Sequence, residues 1–62
     1  MNSVAFAIKY MALISELRDT HTAEEMKEIE DVVSTKMKLC KMIGVPIGET
    51  RRQIIKTLEK RL

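Results

Sequence analysis

An all-α fold in a single domain spanning residues 1–62 is predicted on three observations. No run of alternating β-branched residues is present to build a strand. Aromatic residues make up only 3% of the chain, which removes the other common strand signal. The strong breakers Gly44, Pro46 and Gly48 fall together in one short segment and leave long uninterrupted stretches on either side. The architecture that follows is a helical hairpin plus a C-terminal helix, with three helices, or four if the second one breaks. No repeat, linker or low-complexity segment divides it.

The first helix is predicted from Asn2 or Ser3 to Arg18. Asn2, Lys9 and Glu16 form one narrow polar stripe flanked by Ala5 and Ala12, while Val4, Phe6, Ile8, Tyr10, Met11, Leu13, Ile14 and Leu17 occupy most of the remaining circumference. One partner helix cannot cover so wide an apolar face. Either the other two helices sandwich it, or its outer side meets a second copy of the chain. A domain of 62 residues has little else to use as cover, which favours a homodimer with Val4, Ile8, Met11 and Ile14 at the interface.

The second helix is announced by Thr22-Ala23-Glu24-Glu25, a capping box in which the Thr22 hydroxyl accepts from the Glu25 amide and the Glu25 carboxylate accepts from the Thr22 amide. It is predicted to end at Gly44. The short Asp19-Thr20-His21 connection forces the first two helices into an antiparallel hairpin. One conflict lies within it. If residues 23–43 form one continuous helix, Met26, Ile29, Val32, Val33, Met37, Leu39, Cys40 and Ile43 define an apolar arc with Lys36 in its middle. A break at Ser34-Thr35, both good N-cap residues, would start a new short helix at Lys36 and remove the conflict. The alternative is a lysine that snorkels from a long helix.

The third helix has two sides. Ile54, Ile55, Leu58 and Leu62 lie together, joined by Ile47 if the helix starts early, while Arg52, Lys56 and Lys60 follow at four-residue spacing on the other side. A rival capping box, Thr50-Arg51-Arg52-Gln53, would delay the start to Arg51.

Charge is divided along the chain. Residues 1–35 carry three basic and seven acidic side chains, a net of −4, and residues 36–62 carry eight basic against two acidic, a net of +6. A basic terminal half suits a phosphate backbone, although helices also place acids early and bases late to complement the macrodipole.

The stretch Leu39-Cys40-Lys41-Met42-Ile43-Gly44-Val45 resembles the first helix and tight turn of helix-turn-helix DNA-binding proteins. Cys40 is the small residue that admits a second helix, Gly44 the turn glycine, and Leu39, Ile43 and Val45 the apolar face that holds the two helices together. The resemblance covers residues 36–62 with one extra turn residue, and Gly44-Val45 with Arg52-Gln53-Ile54 is similar to the DNA-reading end of bacterial sigma factors. Arg51 stands where that pattern has an apolar side chain. The resemblance implies that Gly48, Glu49, Arg52 and Gln53 reach base edges while Lys56 and Lys60 meet phosphates, with Lys38, Lys41 and Arg51 in the same basic surface.

The function that follows is a small dimeric transcriptional regulator that binds double-stranded DNA. The alternative is a helical interaction module, an inhibitor or adaptor, that meets another protein and not DNA. An enzyme is not expected: His21 has no second histidine to orient a nucleophile, and no Gly-rich phosphate cradle is present. Cys40 reads as a packing residue, and Met42, off the main apolar arc, as part of a partner-binding surface. With one Cys and one His, neither an internal disulfide nor a metal cluster is expected, and no cofactor. No leader pattern precedes the apolar run Val4 to Ile14, itself well short of the roughly 20 residues of a membrane span, so a cytoplasmic location is expected.

Overall fold

In the computed structural model, which describes residues 2–62, the chain forms α1 (Ser3–Thr20), α2 (Ala23–Met42) and α3 (Ile47–Arg61), with no strand among the described residues. Each junction is made by local chemistry. Asn2 Oδ1 accepts from the Ala5 amide at 2.8 Å and starts α1. At the other end, His21 Nδ1 lies 2.9 Å from the Leu17 carbonyl, so a proton on Nδ1 caps the last turn, and α1 runs two residues past the predicted Arg18.

The predicted capping box of α2 is present. The Glu25 amide donates to Thr22 Oγ1 at 3.2 Å and the Thr22 amide donates to Glu25 Oε1 at 2.9 Å. The hydrogen bond from the Thr22 amide, then the one with the Thr22 hydroxyl, hold the Glu25 carboxyl below its ordinary pKa. At the far end the Val45 amide donates to the Cys40 carbonyl at 2.9 Å and the Gly44 amide to the Lys41 carbonyl at 3.3 Å. Gly44 holds φ at 75°. Together these form a Schellman stop that ends α2 at Met42, two residues before the predicted end.

The proposed break at Ser34-Thr35 does not occur: α2 is continuous from Ala23 to Met42 and the molecule has three helices, not four. The conflict over Lys36 dissolves because the buried arc is narrower than the apolar one. Only Met26, Ile29, Val33 and Cys40 are buried, whereas Val32, Met37, Leu39 and Ile43 are exposed. Val32 and Leu39 each precede a buried residue by one position, about 100° around the helix. Lys36 therefore sits at the edge of the buried strip, half-buried, with no need to cross an apolar centre.

α3 begins at Ile47 with Pro46 as its N-cap residue, so the rival start at Arg51 is not used. Thr50 is buried within the first turn, where its hydroxyl donates to the Pro46 carbonyl at 3.2 Å. A hydroxyl so engaged, inside a helix that has already begun, has no role as a cap.

The core gathers Leu13, Ile14 and Leu17 from α1, Met26, Ile29 and Val33 from α2, and Ile54, Ile55 and Leu58 from α3. α3 packs against both other helices more extensively than they pack against each other. In the sandwich weighed as the alternative to a dimer, α3 and not α1 is thus the middle member. Phe6 and Tyr10 lean on the core with ring centroids 5.6 Å apart. The Arg51 guanidinium lies 5.6 Å from the Phe6 ring centroid, and Lys9 pairs with Glu59 at 3.8 Å, so polar contacts also join α1 to α3.

Candidate interaction surfaces

The surface is as informative as the core. Among the described residues, large hydrophobic side chains are exposed in the same number as apolar ones are buried: ten of each. The accessible area is 4594 Å², whereas a monomeric globular protein of this 7.1 kDa mass has about 4,100 Å². Eight of the ten exposed large hydrophobic residues lie on α1 or on α2 with its C-cap Ile43.

The first patch is the outer side of α1. Val4, Ile8 and Met11 are 70%, 67% and 70% exposed and stand at spacings of four and three, a seam that continues to the polar Ser15. Ala5 and Ala12 flank it on one side and Ala7 on the other, all small enough to admit a second helix closely. Lys9, the one charge within this stretch, is drawn away to Glu59 of α3. Ile14, assigned to the same interface from the sequence, belongs to the core at 7% exposure. One turn past Met11, it packs inward with Leu17, and what remains exposed of it lines a shallow surface groove with Tyr10, Met11 and Ser15.

The second patch covers the C-terminal half of α2 and the turn. Leu39 and Ile43 are 53% and 75% exposed, which corrects their expected role as the apolar face joining α2 to α3. That role falls instead to Cys40, whose Sγ lies 3.7 Å from Gln53 Oε1. Val45 is half-buried. Met42 is exposed, as its offset from the apolar arc predicts, and Met37 and Ile47 are exposed beside the turn. The exposed Val32–Leu39–Ile43 stripe was the feature hidden from sequence reading. The signal was the excessive width of the apolar arc on α2, which a single layer of neighbours cannot cover.

The residues assigned to DNA are brought together only in part. Glu49, Arg52, Lys56 and Lys60 share the exposed outer side of α3. Arg52 is tied to Glu49 at 3.5 Å, Gln53 is half-buried against Cys40, and Arg51 is half-buried over Phe6. Lys56 and Lys60 have no carboxylate within ion-pair distance among the described residues. Lys38 and Lys41 are exposed on α2 rather than on this ridge.

No His/Cys/Asp/Glu group among the described residues is arranged to hold a metal, and no helix among them is long and apolar enough to cross a membrane. Comparison with protein-family models, curated proteins and solved structures finds no match to this chain.

Proposed function

We propose that this chain is a helical interaction module without enzymatic activity, and that it assembles with a second copy of itself through the outer side of α1. The observation that carries this reading is the Val4–Ile8–Met11 seam, exposed by about two thirds and free of charge along its length. A stripe of this kind is self-complementary across a two-fold axis, so both copies bury the same residues against each other. Each such side chain gains on the order of 1 to 2 kcal/mol on burial, and six of them in a symmetric pair set a gain comparable to the cost of association. Pairing is therefore expected to depend on concentration, in the micromolar range and above.

A second reading, DNA binding, draws its support from Lys56 and Lys60, which project unpaired from a helix that begins early enough to enter a groove. It is the less favoured because the break in α2 that would shape a helix-turn-helix is absent, and because Arg51, Arg52 and Gln53 are engaged within the molecule.

Two measurements separate the readings. Sedimentation velocity across a concentration series is expected to show self-association for the native chain and its loss in Ile8→Glu. A gel-shift titration with duplex DNA at low salt is expected to show no retardation. Salt-dependent retardation, weakened in Lys56→Ala, would instead establish the DNA reading, since released counterions make phosphate binding steeply sensitive to salt.

A further inference from the structure

The apolar surface on α2 has a shape and a charge that the α1 seam lacks. Val32, Leu39 and Ile43 wall an open groove of about 380 Å³ between α2 and α3, Cys40 and Gln53 form its floor, and Lys36 stands at its rim. No carboxylate lines it. From Val32 to Gly48 the sequence contains no Asp or Glu, and of its three lysines Lys36 faces the groove, while Lys38 and Lys41 lie on other sides of α2. Among the described residues Lys36 has no carboxylate within ion-pair distance, although it is half-buried. Gln53 adds amide N–H donors that its contact with Cys40 does not use. Apolar walls with one unpaired cation and an amide donor, and no carboxylate in the lining, match a ligand that brings both an apolar face and a carboxylate beside it.

The wall residues run from Val32 to the C-cap Ile43 of one helix, eleven steps or about 16 Å at 1.5 Å per residue. The side of a helix has its backbone hydrogen bonds satisfied internally, so a strand has nothing to pair with there. A second helix can pack its side chains into such a groove. The chain's own acidic stretch does not supply one, because Met26 and Ile29 within it are buried in the core. The α1 seam is flanked by alanines rather than acids.

We propose that the groove between α2 and α3 docks an amphipathic helix of a partner protein, about three turns long, whose apolar stripe is flanked by acidic residues. This goes beyond self-association through α1 and uses a different face.

The test uses two synthetic peptides of about 15 residues, each with leucines on one helical face and with that face flanked either by glutamates or by lysines. Binding to the full chain is read by fluorescence anisotropy and by backbone amide resonances. The glutamate-flanked peptide is expected to bind at least about tenfold more tightly, with resonance shifts confined to residues 32–43 and Gln53. Leu39→Glu should abolish binding and Lys36→Glu should transfer the preference to the lysine-flanked peptide. Both positions lie outside the core, so the variants are expected to fold. Equal binding of both peptides, shifts centred on Val4, Ile8 and Met11, or no shifts at millimolar peptide would each overturn the proposal. So would loss of self-association in Leu39→Glu, which assigns the groove to a second copy. Ile8→Glu should leave peptide binding unchanged, so failure of the α1 pairing and failure of the groove are read separately.

Discussion

The first half of α2, from its cap at Thr22 to Val33, is acidic and places Met26, Ile29 and Val33 in the core, whereas the second half, to Ile43, is basic and leaves Val32's stripe partners Leu39 and Ile43 in solvent. One helix of regular geometry is thus closed in one half and open in the other. The first half closes the fold together with Leu17, Ile54 and Leu58, each at most 2% exposed. The second is held by Cys40 and the Schellman stop, with an apolar surface that folding does not consume. The side chains that hold this small domain together are thus distinct from those of the proposed interaction surfaces, so each set can be altered while the other is observed.

The sharpest way to break that separation is Leu58→Ala. Leu58 is fully buried, and truncation of such a residue costs about 2 to 5 kcal/mol, against a total stability of roughly 3 to 9 kcal/mol for a domain of this size. Circular dichroism is expected to show a largely unfolded or severely destabilised chain.

Gly44→Ala probes the junction between the two regimes. Its φ of 75° is strained for any residue with a Cβ, while no atom lies within 4 Å of the added methyl. The cost is therefore conformational, about 1 to 2 kcal/mol, and should appear as a lower denaturation midpoint with unchanged helix content.

Thr22→Ala tests the closed half at its cap and should cost about 1 kcal/mol. It should also raise the Glu25 pKa toward its ordinary value without reaching it, because the amide of residue 22 still donates. The sign follows from linkage: a carboxyl whose pKa is depressed in the folded state stabilises the fold fully above its unfolded pKa and loses that contribution as pH falls through the lowered one. A carboxyl-carbon NMR titration of Glu25 in both proteins checks the shift.

Leu39→Ala completes the series with the smallest effect. At 53% exposure it should change stability by no more than about 0.5 kcal/mol, and a loss of several times that amount would show that the open half is part of the fold after all.

Much of this fold was legible in the residues. Thr22 with Glu25 marked a helix start, and the cluster of Gly44, Pro46 and Gly48 marked the second turn, because capping and positive φ are decided within a few residues. The continuity of α2 was not legible: Ser34 and Thr35 are as competent to cap as to remain exposed in a helix, and only the narrow buried strip chosen by α3 decides between them. The exposure of Val4, Ile8 and Met11 followed from a girdle too wide for the available helices. The burial of Ile14 is not legible, because an apolar residue on an all-round apolar helix carries no mark of which side faces in. Leu39 and Ile43 were placed inside for the same reason, and with them went the groove that their exposure creates.

Whether α1 pairs with a second copy is decided by an isotope-filtered NOE measurement on an equal mixture of labelled and unlabelled chains at millimolar concentration. Pairing through α1 predicts intermolecular contacts from the methyl groups of Val4, Ile8 and Met11, with none from Leu13 or Leu17. Intermolecular contacts confined to Leu39, Met42 and Ile43, or a spectrum without any in a chain that sediments as a monomer at that concentration, would contradict it.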